Sequence, residues 1–322
     1  MRFIVYGAGA IGGVVGARLF QSGHDVVLIA RGEHLRAIQF RGLTLQAPSG
    51  TVSLPIRAVG LPAEIEFRSD DVVFLAMKTN DTEAAVAELV AAAGPDIPVI
   101  CMQNGVESER VVARRMTRVY ATPVRLPATH LEPGVVQADS EPTTGVLDIG
   151  RYPAGTDELC EAVCAALAKS NFSSKPEPDV MRHKYTKLLV MNLSNAAQAI
   201  CGPTAATGDL IRRARQEAVA CFEAAGIDYA SEAEDRERRG NLITIRPIGD
   251  KPRAGGSTWQ SLARGKRELE VDYLNGEIAL LGRLHGVPTP VNSAFQRIAN
   301  QMAANGTPPG SITPEELEHA IG

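Results

Sequence analysis

The sequence has no apolar run long enough to cross a membrane and no pattern typical of a removable leader. A membrane span needs about 20 apolar residues, whereas the first apolar run, residues 3–6, ends at a glycine. A leader would show a basic flank followed by a longer apolar segment. We therefore expect no membrane partner.

Cysteine, histidine and net charge exclude several further classes. The five cysteines form no C-x-x-C pair, and an odd number cannot form a complete disulfide framework. The six histidines show no H-x-x-x-H spacing, and no G-x-S-x-G nucleophile elbow occurs. A net charge of -4 disfavours nucleic acid as a partner. We expect a cytoplasmic protein that binds no metal. We expect it to act on a small metabolite.

The first part of the chain has the pattern of a doubly wound sheet. Apolar runs at 3–6, 26–29, 72–77 and 99–102 are separated by helical patterns that include 11–21 and 82–93. Because the runs are continuous rather than alternating, they indicate parallel strands covered on both faces. Short β-type runs within 119–153 predict antiparallel strands appended to this sheet, and a helix is expected at 157–169.

Two domains are expected, since the chain of 322 residues exceeds the roughly 250 to 300 that one hydrophobic core serves. A proline-rich segment places the boundary near Pro176. The predicted architecture is α/β, with a Rossmann-like doubly wound sheet in residues 1–176 and an all-α domain in 177–322. Helices are predicted in the second domain at 181–200, 209–225, 231–239, 267–285 and 293–303.

Gly7, Gly9 and Gly12 form a G-x-G-x-x-G motif between a predicted strand and a predicted helix. Such glycines allow a tight turn, close approach of a pyrophosphate, and close packing of helix on sheet. The intervening Ala10 and Ile11 belong to the same turn. The motif therefore predicts dinucleotide binding.

The end of the second predicted strand distinguishes NADP from NAD. An NAD site usually carries Asp or Glu there, whereas this sequence has Ala30 followed by Arg31. Arg31 can pair with a 2′-phosphate, and Arg36 is a weaker second candidate. NADP(H) is therefore the expected cofactor.

Polar residues at strand and helix ends are candidates for the chemistry. Lys78 and Asn104 follow predicted strands, although a surface lysine and a helix cap are alternative interpretations. Lys187, on an apolar helix, is either a proton donor or a lysine whose ammonium reaches water. Ser257 and Thr258 can bind a carboxylate or cap a helix, and Glu270 is either a site residue or a solvated charge.

The set of motifs resembles the ketopantoate reductase (2-dehydropantoate 2-reductase) family over nearly the whole chain. The resemblance rests on "GAGAIGG", "LIARG", "AMKT", "QNGV", "YTKLLVMNLSNA", "STWQSLARG" and "ELEVDYLNGEI", in this order. It implies NADPH-dependent reduction of a 2-oxo acid, with an all-helical domain that closes over the cleft. A homodimer is an open possibility.

The resemblance also implies roles for single residues. Lys187 corresponds to the general acid, and Lys78 to a lysine on the cofactor side. The remaining correspondences are Asn104 between nicotinamide and substrate, Asn195 and one of Ser257 and Thr258 for substrate binding, and Glu270 as the catalytic acid near the substrate.

One departure from the family bears on the substrate. The family asparagine four residues after the lysine is replaced by Met191, and a thioether cannot replace an amide. On an α-helix Asn192 lies about 140° from Lys187 and points elsewhere unless the helix carries a bulge. Thr258, where the family has serine, keeps the hydroxyl.

Three functions are consistent with these residues. The preferred one is reduction of ketopantoate to pantoate, with Lys187 as the proton donor. The alternatives are a related reductase of another 2-oxo acid, an imine or a β-hydroxyacid, and a catalytically silent NADPH-binding sensor.

Overall fold

The computed structural model describes residues 1–249 and 255–321. The strands are β1 Arg2–Tyr6, β2 Asp25–Ile29, β3 Leu43–Ala47, β4 Gly50–Leu54, β5 Arg57–Val59, β6 Asp71–Leu75, β7 Val99–Cys101, β8 Val119–Ala121, β9 Ala128–Thr129, β10 Val135–Ala138, β11 Ser140–Pro142, β12 Gly145–Val146, β13 Gly150–Arg151, β14 Phe172–Ser173 and β15 Ile243–Ile245. The α-helices are α1 Ala10–Gln21, α2 Gly32–Arg41, α3 Thr82–Ala93, α4 Ser108–Ala113, α5 Glu158–Lys169, α6 Val180–Lys187, α7 Ser194–Cys201, α8 Gly208–Ala225, α9 Glu232–Arg239, α10 Ser257–Ala263, α11 Asn275–His285, α12 Pro290–Asn305 and α13 Pro314–His319.

The chain divides into two compact units. The first contains Met1–Gln103, Glu107–Met181 and, within the described residues, 236–249. The second contains Asn104–Val106, Arg182–Asp235 and 255–321. The single boundary near Pro176 stays a prediction.

The first unit is built on a seven-stranded sheet with the order β13-β8-β7-β6-β1-β2-β5. All neighbouring strands are parallel except β8 and β13 at one edge. The chain starts in β1, an interior strand, and β6 lies beside β1 on the side opposite β2, so the winding reverses there. This is the doubly wound topology predicted from the apolar runs, and its strand order places the turn after β1 at the switch point.

Both faces of this sheet are buried, as continuous apolar strands require. One face packs with apolar residues of α1 and α5, among them Val14, Val15 and Leu167. The other face packs with α3 and α4, through residues such as Val86, Leu89 and Val112. The alternating orientation of side chains along β1 supplies Phe3 and Val5 to the first core and Ile4 to the second.

The β-rich segment 119–153 differs in part from the antiparallel extension predicted for it. β8 and β13 pair antiparallel at the edge of the main sheet, but β9 and β10 join β3 and β4 in a separate four-stranded sheet. β10 pairs parallel with β3 and antiparallel with β9. The sequence also did not predict β15, which pairs with β11 in the first unit. The pairings of β10 with β3 and of β15 with β11 join residues about 90 and 100 positions apart, so local patterns carry no sign of them.

The second unit has an apolar core formed by α7, α8, α10, α12 and α13 together with Leu269 and Val271, and Phe295 and Leu317 are among its fully buried residues. Of the helices in the described ranges, none combines the length and apolar character that a membrane crossing requires.

The helix predicted at 267–285 is wrong over residues 267–274. Leu269 has an extended backbone, residues Glu270–Tyr273 form a 3-10 turn, and Leu274 leaves the helical region at φ -117 and ψ -89. α11 therefore begins only at Asn275. Glu270 lies on the short turn rather than on a long helix.

Candidate active site and cofactor turn

The glycine turn after β1 has the geometry expected for a dinucleotide. Gly7 has φ +102, and a Cβ there would lie 2.5 Å from the backbone nitrogen of Met77. A Cβ on Gly12 would lie 2.2 Å from the carbonyl oxygen of Gly7. In contrast, a Cβ on Gly9 would meet no atom within 4 Å. Packing thus explains Gly7 and Gly12, whereas Gly9 borders open space that a pyrophosphate could approach closely.

The N-terminus of α1 faces that open space. Gly9 is the N-cap, and the first turn contains no acidic residue. The backbone N–H groups of Ala10, Ile11 and Gly12 have no acceptor within the helix, because the first turn of any helix lacks them. The turn therefore offers donors and a partial positive charge to a pyrophosphate.

His34 supports this turn, a role that sequence reasoning missed. Its Nδ1 accepts a hydrogen bond of 2.8 Å from the Gly134 N–H, so Nε2 donates to the Ala8 carbonyl at 2.7 Å. The histidine thus ties the glycine turn to the segment before β10. No spacing in the sequence indicates this contact.

The basic residues near the end of β2 have acidic neighbours. Arg31 is the N-cap of α2 and is 56% exposed, and its Nη2 lies 3.9 Å from Glu88 Oε2 on α3. Arg36 forms an ion pair with Glu33 on the same helix. Lys78 follows β6, is partly buried, and is the N-cap of the 3-10 turn Thr79–Asp81. Gly7, Arg31 and Lys78 thus follow three neighbouring strands, β1, β2 and β6, whereas Arg36 lies on α2.

Lys187 and Asn104 come together inside the second unit. Lys187 is only 5% exposed, and its Nζ donates a 2.5 Å hydrogen bond to Asn104 Oδ1. The interpretation of Lys187 as a lysine reaching into water is therefore wrong. Asn104 is not the cap of α4 either, because that helix begins at Ser108 with Glu107 as its N-cap. The lysine is held by an amide oxygen, which fixes the position of its Nζ.

The helix that carries Lys187 contains a π-helical turn, so the α-helical expectation for Asn192 is wrong. Leu188–Asn192 are π-helical, and the Leu193 N–H donates to the Leu188 carbonyl five residues earlier at 3.2 Å. A π-turn accommodates one extra residue and rotates the following ones. Asn192 accordingly lies beside Asn104, with its Nδ2 3.5 Å from Asn104 Oδ1.

Exposure distinguishes the two residues at this turn. Met191 is 38% exposed, whereas Asn192 is 4% exposed. Asn192 Oδ1 is buried and has no hydrogen-bond partner within residues 1–249 and 255–321. A buried amide oxygen without a partner is costly unless a ligand or water satisfies it. Asn192 therefore provides a free acceptor next to Lys187 and Asn104.

Neighbouring groups compensate the backbone bonds that the π-turn disrupts. Arg215 donates to the Val190 carbonyl at 2.5 Å, and the Ser194 hydroxyl donates to the Met191 carbonyl at 2.9 Å. Asn275 donates to the Leu193 carbonyl at 3.2 Å. The turn is thus held by specific side chains, which is the usual reason that an interrupted helix persists.

Ser257, Thr258 and Asn195 take different positions. The N-cap of α10 is Gly256 and makes no side-chain cap bond, so neither hydroxyl caps the helix. Ser257 is partly buried, and Asn195 Nδ2 donates to its Oγ at 3.4 Å. Thr258 is 3% exposed. The structure thus brings Asn195 and Ser257 together, as it does Lys187, Asn104 and Asn192.

Glu270 is buried, with 6% of its surface exposed, so the interpretation as a solvated charge is wrong. In the part of the chain that the structure describes, no group of three or more His, Cys, Asp or Glu side chains is arranged to hold a metal ion. The side chains that the structure brings together are therefore three asparagine amides, one lysine and one serine hydroxyl, and a place for Glu270 in the site stays a prediction.

Two family models match the chain. The model described as "Ketopantoate reductase PanE/ApbA" matches residues 3–153, and "Ketopantoate reductase PanE/ApbA C terminal" matches residues 179–303. The chain is also 27% identical over 300 residues to a protein of Pyrococcus horikoshii named 2-dehydropantoate 2-reductase, covering 91% of this chain and 94% of that protein.

Solved structures show the same fold. A PanE/ApbA family ketopantoate reductase from Ralstonia eutropha JMP134 matches with a TM-score of 0.78 and 27% identity, covering 95% of this chain and 99% of the other. A D-mandelate dehydrogenase, solved with NADH and anilino(oxo)acetate, matches with a TM-score of 0.81 at 22% identity and the same coverage. The second likeness is one of fold alone.

Proposed function

The chain belongs to the ketopantoate reductase family, and on this premise we propose that it reduces 2-dehydropantoate (ketopantoate) to pantoate with NADPH. The observation that carries the proposal is the hydrogen bond between the buried Lys187 and Asn104, with the unsatisfied Asn192 oxygen beside it. This arrangement supplies a proton donor and an amide acceptor in one place, which reduction of a ketone bearing a hydroxyl group requires.

The glycine turn and Arg31 fit NADP(H). The first-turn N–H groups of α1 would hold the pyrophosphate over Gly9, and the Arg31 guanidinium would hold the 2′-phosphate. Lys78 would add a positive charge on the cofactor side. The cofactor, when bound, supplies the hydride that is added to the ketone carbon.

Lys187 acts as the general acid. As the carbonyl oxygen gains negative charge, its ammonium group donates a proton to that oxygen and completes the hydroxyl of the product. Asn104 Oδ1 accepts a hydrogen bond from Nζ and so keeps the lysine from turning away. A charged donor fixed before the reaction stabilises the developing oxyanion more than a mobile one.

The remaining residues orient the substrate. Ser257 is favoured over Thr258 for the carboxylate because its hydroxyl is partly exposed and lies next to Asn195. The free oxygen of Asn192 would accept a hydrogen bond from the substrate hydroxyl, the task that the sequence left without a residue. Glu270, buried on its 3-10 turn, stays the proposed acid near the substrate.

The decisive test is consumption of NADPH in the presence of ketopantoate, with Lys187→Ala as the inactive control. We expect turnover by the natural protein and a loss of at least about 100-fold in kcat for the variant, while NADPH binding is retained. NADPH binding without turnover of ketopantoate would contradict the assignment, and a panel of other 2-oxo acids, an imine and a β-hydroxyacid would follow.

Location in the cytoplasm and a homodimeric state also stay proposals. The first is supported by the five cysteines, all of which are free thiols. Light scattering on the purified protein measures the second.

A further inference from the structure

The cofactor end of the first unit contains a carboxylate that neither the glycine motif nor Arg31 requires. Glu88, on α3, accepts a hydrogen bond from the Tyr6 hydroxyl at the end of β1 and lies 3.9 Å from the Arg31 guanidinium. Rossmann sites that prefer NADP usually lack an acid near the 2′-phosphate. The presence of Glu88 beside the proposed phosphate ligand therefore bears on which cofactor binds better.

Tyr6 holds this carboxylate in place. Burial and the hydrogen bond to Glu88 raise the pKa of Tyr6 to about 12, so its hydroxyl is protonated at neutral pH and remains the donor. Tyr6 is 2% exposed and lies at the end of β1, an interior strand of the sheet. Glu88 is thus a fixed negative charge rather than a flexible surface acid.

Glu88 acts on Arg31 through its charge and does not hold the Arg31 side chain in one position. A separation of 3.9 Å between Nη2 and Oε2 is too long for a hydrogen bond. Glu88 therefore partly neutralises Arg31 without fixing the direction of its guanidinium. Arg36, the second basic candidate, already forms an ion pair with Glu33.

We propose that Glu88 is a specificity-determining residue that weakens the preference for NADPH over NADH by partly neutralising Arg31 and repelling the 2′-phosphate bound there. The proposal rests on NADP(H) binding at the glycine turn but not on the identity of the substrate. A 2′-phosphate bound to Arg31 is repelled by the adjacent carboxylate, whereas the 2′-hydroxyl of NADH is not. The charge of Glu88 consequently costs affinity for NADPH alone.

Equilibrium binding of NADPH and of NADH, measured by titration calorimetry without substrate, tests the proposal. Glu88→Gln keeps an oxygen acceptor for Tyr6 and removes the charge. We expect it to tighten NADPH binding about three- to tenfold at low ionic strength, with a smaller gain at high salt because partly exposed charges are screened. NADH binding should change less than about twofold by the same argument.

Two controls separate this effect from a general change in charge. Glu83→Gln removes a carboxylate from the same helix, where Glu83 is 80% exposed and pairs with Arg115 at 3.8 Å, and it should leave both affinities unchanged. In an Arg31→Gln background, Glu88→Gln should tighten NADPH binding less than it does in the natural protein, because only the direct repulsion of the phosphate is then relieved. Unchanged NADPH affinity in Glu88→Gln, weaker affinity, or an equal gain for NADH would each overturn the proposal. Because no substrate is present, failure of ketopantoate reduction leaves this test valid.

Discussion

The π-turn makes a specific prediction about Asn192. If its free Oδ1 accepts a hydrogen bond from the substrate, Asn192→Ala removes that bond and leaves a substrate hydroxyl unpaired in a buried place. The loss of this hydrogen bond weakens substrate binding by about 1 to 3 kcal/mol, which corresponds to a decrease in kcat/KM of about 5- to 150-fold. Because this bond is present both before and during hydride transfer, most of the loss should appear in KM. Met191→Ala, at the exposed neighbouring position, should change kcat/KM less than about twofold.

Deletion of Met191 tests the geometry itself. The π-turn accommodates one extra residue, so removing that residue should restore an α-helix in which the asparagine follows Lys187 by four positions and faces the same way. We expect this variant to keep kcat/KM within about tenfold of the natural protein. The double variant Met191→Asn, Asn192→Leu should lose activity to the same extent as Asn192→Ala, because the π-turn directs position 191 towards solvent.

The assay is the decrease of NADPH absorbance over a range of ketopantoate concentrations. NADPH affinity and the thermal unfolding midpoint of each variant show whether the fold is intact. The reasoning is refuted if Asn192→Ala keeps its KM, or if Met191→Ala is impaired while Asn192→Ala is not.

Three further predictions concern the turn, the buried ion pair and the thiols. Gly9→Val should fold normally but bind NADPH at least about tenfold more weakly, because its side chain enters the pyrophosphate space; titration calorimetry measures the affinity. Gly12→Val should unfold at a lower temperature, because its Cβ would lie 2.2 Å from the Gly7 carbonyl oxygen; scanning calorimetry measures the unfolding midpoint. Asp71→Ala should lower the free energy of unfolding, measured in urea, by about 3 to 5 kcal/mol. The substitution leaves the buried Arg2 without the carboxylate whose two oxygens each accept a hydrogen bond of 2.7 Å from it. A decrease below about 1 kcal/mol would contradict this expectation. Burial raises the pKa of Cys201 to about 11. Its alkylation rate, followed by peptide mapping, should therefore keep rising up to that pH, whereas the rate for an unperturbed thiol levels off above a pH of about 8.5. A plateau of the Cys201 rate at the lower pH would refute the shift.

The sequence by itself determined the sheet and the turn. Continuous apolar runs predict buried parallel strands, and β1, β2, β6 and β7 lie within two residues of the predicted bounds. The glycine spacing between β1 and α1 identifies the turn because its chemistry is local: only glycine fits at positions 7 and 12. Lys187 was a candidate because lysines are seldom fully buried without partners, although an ammonium group reaching water stayed an alternative until its burial was known.

Tertiary structure alone decided which side chains meet. Helical periodicity placed Asn192 away from Lys187, and the π-turn that reverses this is held by Arg215, a residue 25 positions away in sequence. Glu88 and Arg31 come from different helices, and β15 pairs with a strand about 100 residues earlier. Period and spacing report only interactions along one element, whereas these contacts depend on how separate elements pack. The sequence therefore determined the fold class and the reaction chemistry, and packing determined which asparagine faces the lysine and which acid faces Arg31.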